Sequence, residues 1–272
     1  RYHAPSTGRF MTVDPMAEDY YGYSIYLYCM GNPIALIDPS GLGAFWHNGT
    51  EIGTDGINDG KVYALKTTEE SFSDNLNSVP GAGLSKDALN ATISFIKSND
   101  GNAEAFKGNS IAYDNSIEIE PSASNRQEMV NIVSKDDGRG GASDSNNQEY
   151  GGYIQDGVVS PNDSGPVVDP NLNQNGEITT KFGLPTFHSH PSGTGKSSQE
   201  PKHRFSSTKI GGSKPRGHFQ PPSPQDIQNA GSTTNYVFGR GNKKVYVYTR
   251  DGVQAVIPMK NFVNPHIPSK KK

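Results

Sequence analysis

The segment His188-Ser189-His190-Pro191 most constrains what this chain can fold into. Residues two apart on an extended strand point to the same side, so the two imidazoles share one face. Further on, Ser223-Pro224-Gln225-Asp226 reads as a helix start, with Ser as N-cap and Pro at the first helical position. If that helix entrance meets the strand, two nitrogens and a harder oxygen donor converge, which is a ligand set for a borderline metal such as zinc. Each piece also has a plain reading, because His-x-His occurs in many surface loops and Ser-Pro-x-Asp starts many helices.

A third piece adds a carboxylate. Glu149-Tyr150-Gly151-Gly152-Tyr153-Ile154 lies 39 residues before His188 and opens an expected strand, so Glu149 can face the same spot from a neighbouring strand. Glu, then His-Ser-His-Pro, then Ser-x-x-Asp, in that order, resembles the JAMM (JAB/MPN-plus) metallopeptidase signature. The resemblance implies that His188, His190 and Asp226 bind Zn²⁺ with water in the open fourth position, that Glu149 takes the water's proton, and that Ser223 steadies the oxyanion. It also implies a cytidine-deaminase-like α/β sandwich with a central mixed sheet and the zinc at its edge.

Physical chemistry is consistent with those roles. Zinc lowers the pKa of bound water towards ~7, and a positioned carboxylate can complete the deprotonation and hand the proton to a leaving amine. Glu149 is then a base and not a fourth ligand. A hydroxyl at a helix N-terminus can donate to a developing oxyanion where the helix dipole also helps. For Ser223, capping and catalysis both stand, and neither excludes the other.

The chain departs from the family in the 31 residues, 192 to 222, between Pro191 and Ser223, where the family usually has a short connection. This stretch is rich in Gly, Ser, Pro and charge and reads as an inserted surface loop. The ligands can still meet if the loop ends lie close together, since loop entropy grows slowly with length. Its His203 and His218 are rival ligands or solvated loop histidines. Its six Lys or Arg residues against one acid, Glu200, would let it track a phosphate backbone, as in a nuclease. Against this, only Phe205 and Phe219 offer stacking surfaces, no Asp/Glu/Lys nuclease spacing stands out, and nucleic acid is not the expected partner. A non-catalytic JAB-like binding module is a further alternative, opposed by the presence of all five motif residues.

Residues 1–42 carry a second resemblance. Arg1 to Pro15 (RYHAPSTGRFMTVDP), then Tyr26-Leu27-Tyr28-Cys29-Met30-Gly31-Asn32-Pro33 and Ile37-Asp38-Pro39-Ser40-Gly41-Leu42, look like the end of a rearrangement-hot-spot (RHS) repeat-associated core. The resemblance implies a β-hairpin fragment of a shell around a variable C-terminal toxin. It places Asp38 in an autoproteolytic site and makes Leu42 the last residue before the cut. Aromatic residues and Asn-Pro or Asp-Pro turns also simply build β-hairpins. Together the two matches resemble a JAB-like polymorphic toxin tip of a bacterial RHS protein. That implies a peptide or ubiquitin-like protein substrate, a cognate immunity protein, an upstream RHS shell, and secretion or delivery into a target cell. Because Arg1 falls inside a motif, the chain reads as part of a longer protein, with room for an export signal upstream.

Composition sets limits without choosing a function. With 32% hydrophobic residues and a mean hydropathy of −0.68, the 272-residue chain reads as loop-rich, one full domain plus a fragment. A formal charge of −3 speaks against a strongly cationic nucleic-acid binder. The lone Cys29 excludes an intramolecular disulfide or a cysteine-based zinc cluster. No apolar run is long enough to span a membrane. The expected organisation is an RHS fragment over 1–42, a linking region over 43–120, the JAB-like domain over 121–263 and a basic tail over 264–272. Hairpins are expected over 45–66, and helices over 85–96 behind Ser85, 126–134 behind Ser124, and 224–230 ended by Gly231. Strands are expected over 150–159, 178–188, 235–239, 244–249 and 253–257.

Overall fold

The computed structural model of the chain describes 3–4, 9–10, 42–68, 83–170, 176, 178–179, 181, 183–194 and 217–268. Of the RHS-like segment this includes one short antiparallel pair, β1 (His3–Ala4) with β2 (Arg9–Phe10), and Leu42. Asp38 and Cys29 lie outside the described residues.

Two mixed sheets, with helices packed against them, make the protein an α/β structure. The smaller sheet has the order β4-β3-β5-β6, built from β3 (Ala44–His47), β4 (Thr50–Thr54), β5 (Val62–Leu65) and β6 (Ser116–Ile119). The β3–β4 hairpin turns on Asn48-Gly49, both at positive φ (50° and 72°), as a tight two-residue hairpin demands. Between β5 and β6 run α1 (Lys86–Ser98), α2 (Ala103–Gly108) and α3 (Ile111–Asp114). Ser85 caps α1 as expected, its side chain accepting from the Ala88 amide. Leu89, Ile96, Phe106 and Ala112 bury against Phe45 and Leu65 of this sheet.

The larger sheet has the order β12-β11-β10-β9-β7-β8. Its strands are β7 (Gly151–Gln155), β8 (Val158–Pro161), β9 (Thr186–His190), β10 (Asn235–Gly239), β11 (Lys244–Thr249) and β12 (Gly252–Pro258). Only β9 and β10 pair in parallel; the other neighbours are antiparallel. One face carries Phe187, Tyr236, Phe238, Val245, Val247, Ala255 and Ile257, and it packs on Met129, Ile132 and Val133 of α4 (Ala123–Val133). Ala44, Trp46, Val62, Ala64 and Ile119 of the smaller sheet join that same core. The opposite face carries Val237, Tyr246 and Tyr248 under Ile227 of α5 (Pro224–Asn229).

Three expected boundaries are corrected. The strand expected over 150–159 is a hairpin, because Asp156-Gly157 takes positive φ (53° and 73°) and reverses the chain between β7 and β8. The strand expected over 178–188 is confined to Thr186–His190. The cap of α4 is Ser122, whose hydroxyl oxygen accepts from the Asn125 amide, whereas Ser124 lies inside the helix and meets Ser122 through its own hydroxyl. Ser122→Ala should therefore lower stability by about 1 kcal/mol in denaturant unfolding, with Ser124→Ala changing it by much less; equal losses would contradict the cap assignment.

Candidate metal centre

Strand alternation sets up the site. Thr186, His188 and His190 point to one face of β9, while Phe187 and Ser189 point into the core on the other. Since β9 lies between β10 and β7, the pair sits on an inner part of the sheet face and not at its edge. Register on β7 then delivers the carboxylate, because Gly151 pairs with His188 and Glu149 lies two residues upstream. Ser189, between the histidines and fully buried, fixes that approach: its Oγ accepts from the Tyr150 amide at 2.9 Å and its own amide donates to the Tyr150 carbonyl at 2.7 Å. Gly151 allows the strands to lie this close, since a Cβ there would stand 2.2 Å from the Phe187 carbonyl oxygen.

The third donor comes from α5. Ser223 and Asp226 form a capping box, in which Ser223 Oγ accepts from the Asp226 amide at 3.2 Å and Asp226 Oδ2 accepts from the Ser223 amide at 2.6 Å. The box fixes the aspartate rotamer and aims it at the histidines. Asp226 Oδ1 lies 3.3 Å from His188 Nε2, Asp226 Oδ2 lies 3.6 Å from His190 Nε2, and the two Nε2 atoms are 3.3 Å apart. Glu149 Oε1 stands 4.0 Å from His190 Nε2. Burial pushes the Asp226 carboxyl up, but the His188 and His190 imidazoles outweigh that and hold it well below the usual carboxylate range.

These separations suit a bound metal ion. Bonds of ~2.0–2.1 Å at tetrahedral angles place neighbouring ligand atoms roughly 3.3 Å apart. The buried His188, His190 and Asp226 donors can therefore hold a metal ion. Both Nδ1 atoms are buried without a hydrogen-bond partner. Bound to a metal through Nε2, each ring would keep its remaining proton on Nδ1. Two Nε2 atoms and a carboxylate crowded together in a buried place are better accommodated by a shared cation than by one another.

The inserted loop does not keep Asp226 away. Thr194 and Gly217 form an isolated antiparallel bridge, so the ends of the excursion meet at its base. His203 and Phe205 lie outside the described residues, as does the rest of 195–216. His218 is described and is not in the cluster: its Nε2 meets Asn147 Oδ1 at 3.0 Å, and burial, then the nearby His190, lowers its pKa. No helix among the described residues is long and apolar enough to cross a membrane.

Sequence reasoning missed the support behind the pair. Asp136 is fully buried and accepts from the Ser192 amide at 2.6 Å, from Ser192 Oγ at 2.5 Å and from the Gly138 amide at 2.8 Å, tying down the turn after His190. The Arg240 guanidinium donates to the Asp136 carbonyl, and the Arg240 amide donates to the His190 carbonyl. Only Asp136-Asp137-Gly138, a turn-forming run, hinted at this in the sequence. Asp136→Ala should lower unfolding free energy by about 3 kcal/mol, since it strands several buried donors; an unchanged denaturation midpoint would contradict the role.

No protein-family model, curated protein or solved structure matches the chain.

Proposed function

We propose that the protein is a zinc-dependent peptidase or isopeptidase of the JAMM-like kind, acting as the toxin tip of a bacterial RHS protein. The observation that carries the reading is the convergence of His188 Nε2, His190 Nε2 and an Asp226 carboxylate oxygen at metal-ligand separations, with the Glu149 carboxylate beside them. Two imidazoles and one carboxylate suit zinc, with a position left open for chemistry.

His188, His190 and Asp226 would hold the ion, which when bound supplies Lewis acidity and a more acidic water. Glu149 takes a proton from the attacking water and delivers it to the leaving amine. Its oxygen is 4.0 Å from His190 Nε2, too far to spend its lone pair on that ring and close enough to reach a water beside it. Ser223 keeps its own proton for donation, because its oxygen accepts from the Asp226 amide, and the hydroxyl can turn it towards an oxyanion at the helix entrance. Release from the upstream shell by a cut after Leu42 with Asp38 assisting, and restraint by an immunity protein, complete the proposal.

The test is cleavage of a defined peptide mixture and of ubiquitin-linked conjugates by the full chain, read by mass spectrometry. New products that vanish with a chelator and return with zinc are expected. Products insensitive to chelator, or none from either substrate class with zinc bound, overturn the reading.

A further inference from the structure

Away from the metal ligands, α4, the β10–β11 turn and the end of β12 border a cavity of about 460 Å³, within the ~300–1,000 Å³ range of small-molecule sites. Its lining includes none of Glu149, His188, His190 and Asp226. Val130, Pro258 and Met259 supply apolar walls, and Arg240, Lys243 and Lys260 line it as three cations against one acid, Asp137. That acid is already engaged: its Oδ1 accepts from the Arg139 amide and from Asn146 Nδ2, and its Oδ2 lies 4.0 Å from Arg139 Nε.

Arg240 is only 8% exposed, and a guanidinium has five N–H donors. Its Nε and Nη2 each donate to the Asp136 carbonyl, and Nη1 meets Met259 Sδ, a weak acceptor, at 2.9 Å. Two N–H groups, one on each Nη, are left without an acceptor, and among the described residues no carboxylate pairs directly with this arginine. A buried cation is ordinarily paired. Burial lowers the Arg240 pKa, and the Asp136 and Asp137 carboxylates offset only part of that effect. Both Nη atoms lie at the cavity wall, Nη1 beside Met259 and Nη2 beside Gly138, which has no side chain to cover it; a Cβ there would stand 3.7 Å from Nη2.

Lys243 adds a separate signal. It takes a φ of 57°, a left-handed conformation that it shares with Asn48 and Asp156; those residue types tolerate the region, and lysine adopts it rarely. Its carbonyl accepts from the Met259 amide at 2.9 Å, which pins the β10–β11 turn to the end of β12 across the cavity.

We propose that this cavity binds a small organic monoanion, a carboxylate on an apolar body, with the carboxylate on the Arg240 guanidinium between Lys243 and Lys260. The two unused N–H groups match the two oxygens of a carboxylate. Val130, Pro258 and Met259 receive the apolar part, which an inorganic anion lacks. Asp137 on the same wall weighs against a doubly charged head group. The site stands apart from the proposed hydrolysis and is tested without it.

The experiment titrates the full chain with sodium octanoate at low salt and follows the Met259 methyl signal by NMR, identified by its loss in Met259→Leu. Octanoate should shift that signal saturably. Octylammonium, with a similar tail and the opposite charge, and inorganic phosphate should each bind at least about tenfold more weakly. Lys243→Glu/Lys260→Glu changes two exposed side chains and leaves the Arg240 contacts in place, so it should weaken octanoate at least about tenfold with the circular dichroism unchanged. Arg240→Gln should weaken it at least as much; if that variant fails to fold, the lysine variant decides alone. An unmoved Met259 signal, octylammonium or phosphate binding as tightly as octanoate, or unchanged octanoate affinity in the lysine variant overturns the proposal. Octanoate taken up only at a metal ion on His188 and His190 would leave Met259 unmoved and counts against it.

Discussion

Glu149→Gln is expected to retain zinc and to lose hydrolysis by about 10²–10⁴-fold, the usual worth of a positioned general base. The substitution keeps the size and rotamer of the side chain and removes only its ability to take a proton. Metal retention is expected because the ligand cluster is His188, His190 and Asp226, and the Glu149 carboxylate oxygen stands at 4.0 Å from the nearer imidazole nitrogen. Asp226→Ala should behave oppositely and weaken metal binding itself. It removes a carboxylate whose Oδ1 and Oδ2 lie 3.3 Å and 3.6 Å from the His188 and His190 Nε2 atoms, and it also breaks the capping box that anchors α5. Initial rates on a cleaved peptide, measured alongside zinc content, separate the two variants. A Glu149→Gln protein that keeps full activity, or one that loses its zinc, contradicts the division between base and ligand.

Much of the site was legible because its chemistry depends on local geometry. Strand alternation alone puts His188 and His190 on one face, and Ser-Pro-x-Asp alone starts a helix with its aspartate at the third position, as α5 does. The strands β10 and β11 match their expected ranges because each is an unbroken apolar run, buried on both faces, with turn residues bounding both ends. Less was legible where long-range contacts decide. Asp136 reads as a surface turn residue, and its burial against Ser192 depends on a contact 56 positions along the chain. Tyr248 reads as one more strand aromatic until the register of three strands aligns it with Asn235 and Thr186. Two misreadings were avoidable in principle: Asp156-Gly157 is a hairpin signal inside the expected strand 150–159, and Ser122 competes with Ser124 as a cap two residues away.

Position matters as much as ligand identity. His188 and His190 sit on an inner strand whose neighbours are fixed by hydrogen bonds on both sides; Ser189 locks the backbone between them and the Arg240 amide holds the His190 carbonyl. Such a site is organised before the ion arrives, so binding loses little free energy to ordering of the ligands. Removing either imidazole should cost far more than removing the rival His218, which is engaged by Asn147.

Metal content of the purified full chain, after exposure to zinc and exhaustive dialysis, addresses the central claim most directly. About one zinc per wild-type chain is predicted, with the same value for His218→Ala and loss of bound zinc in the His188→Ala/His190→Ala double variant, its fold verified by circular dichroism. Stoichiometric zinc retained by a folded double variant would place the ion elsewhere and contradict the account.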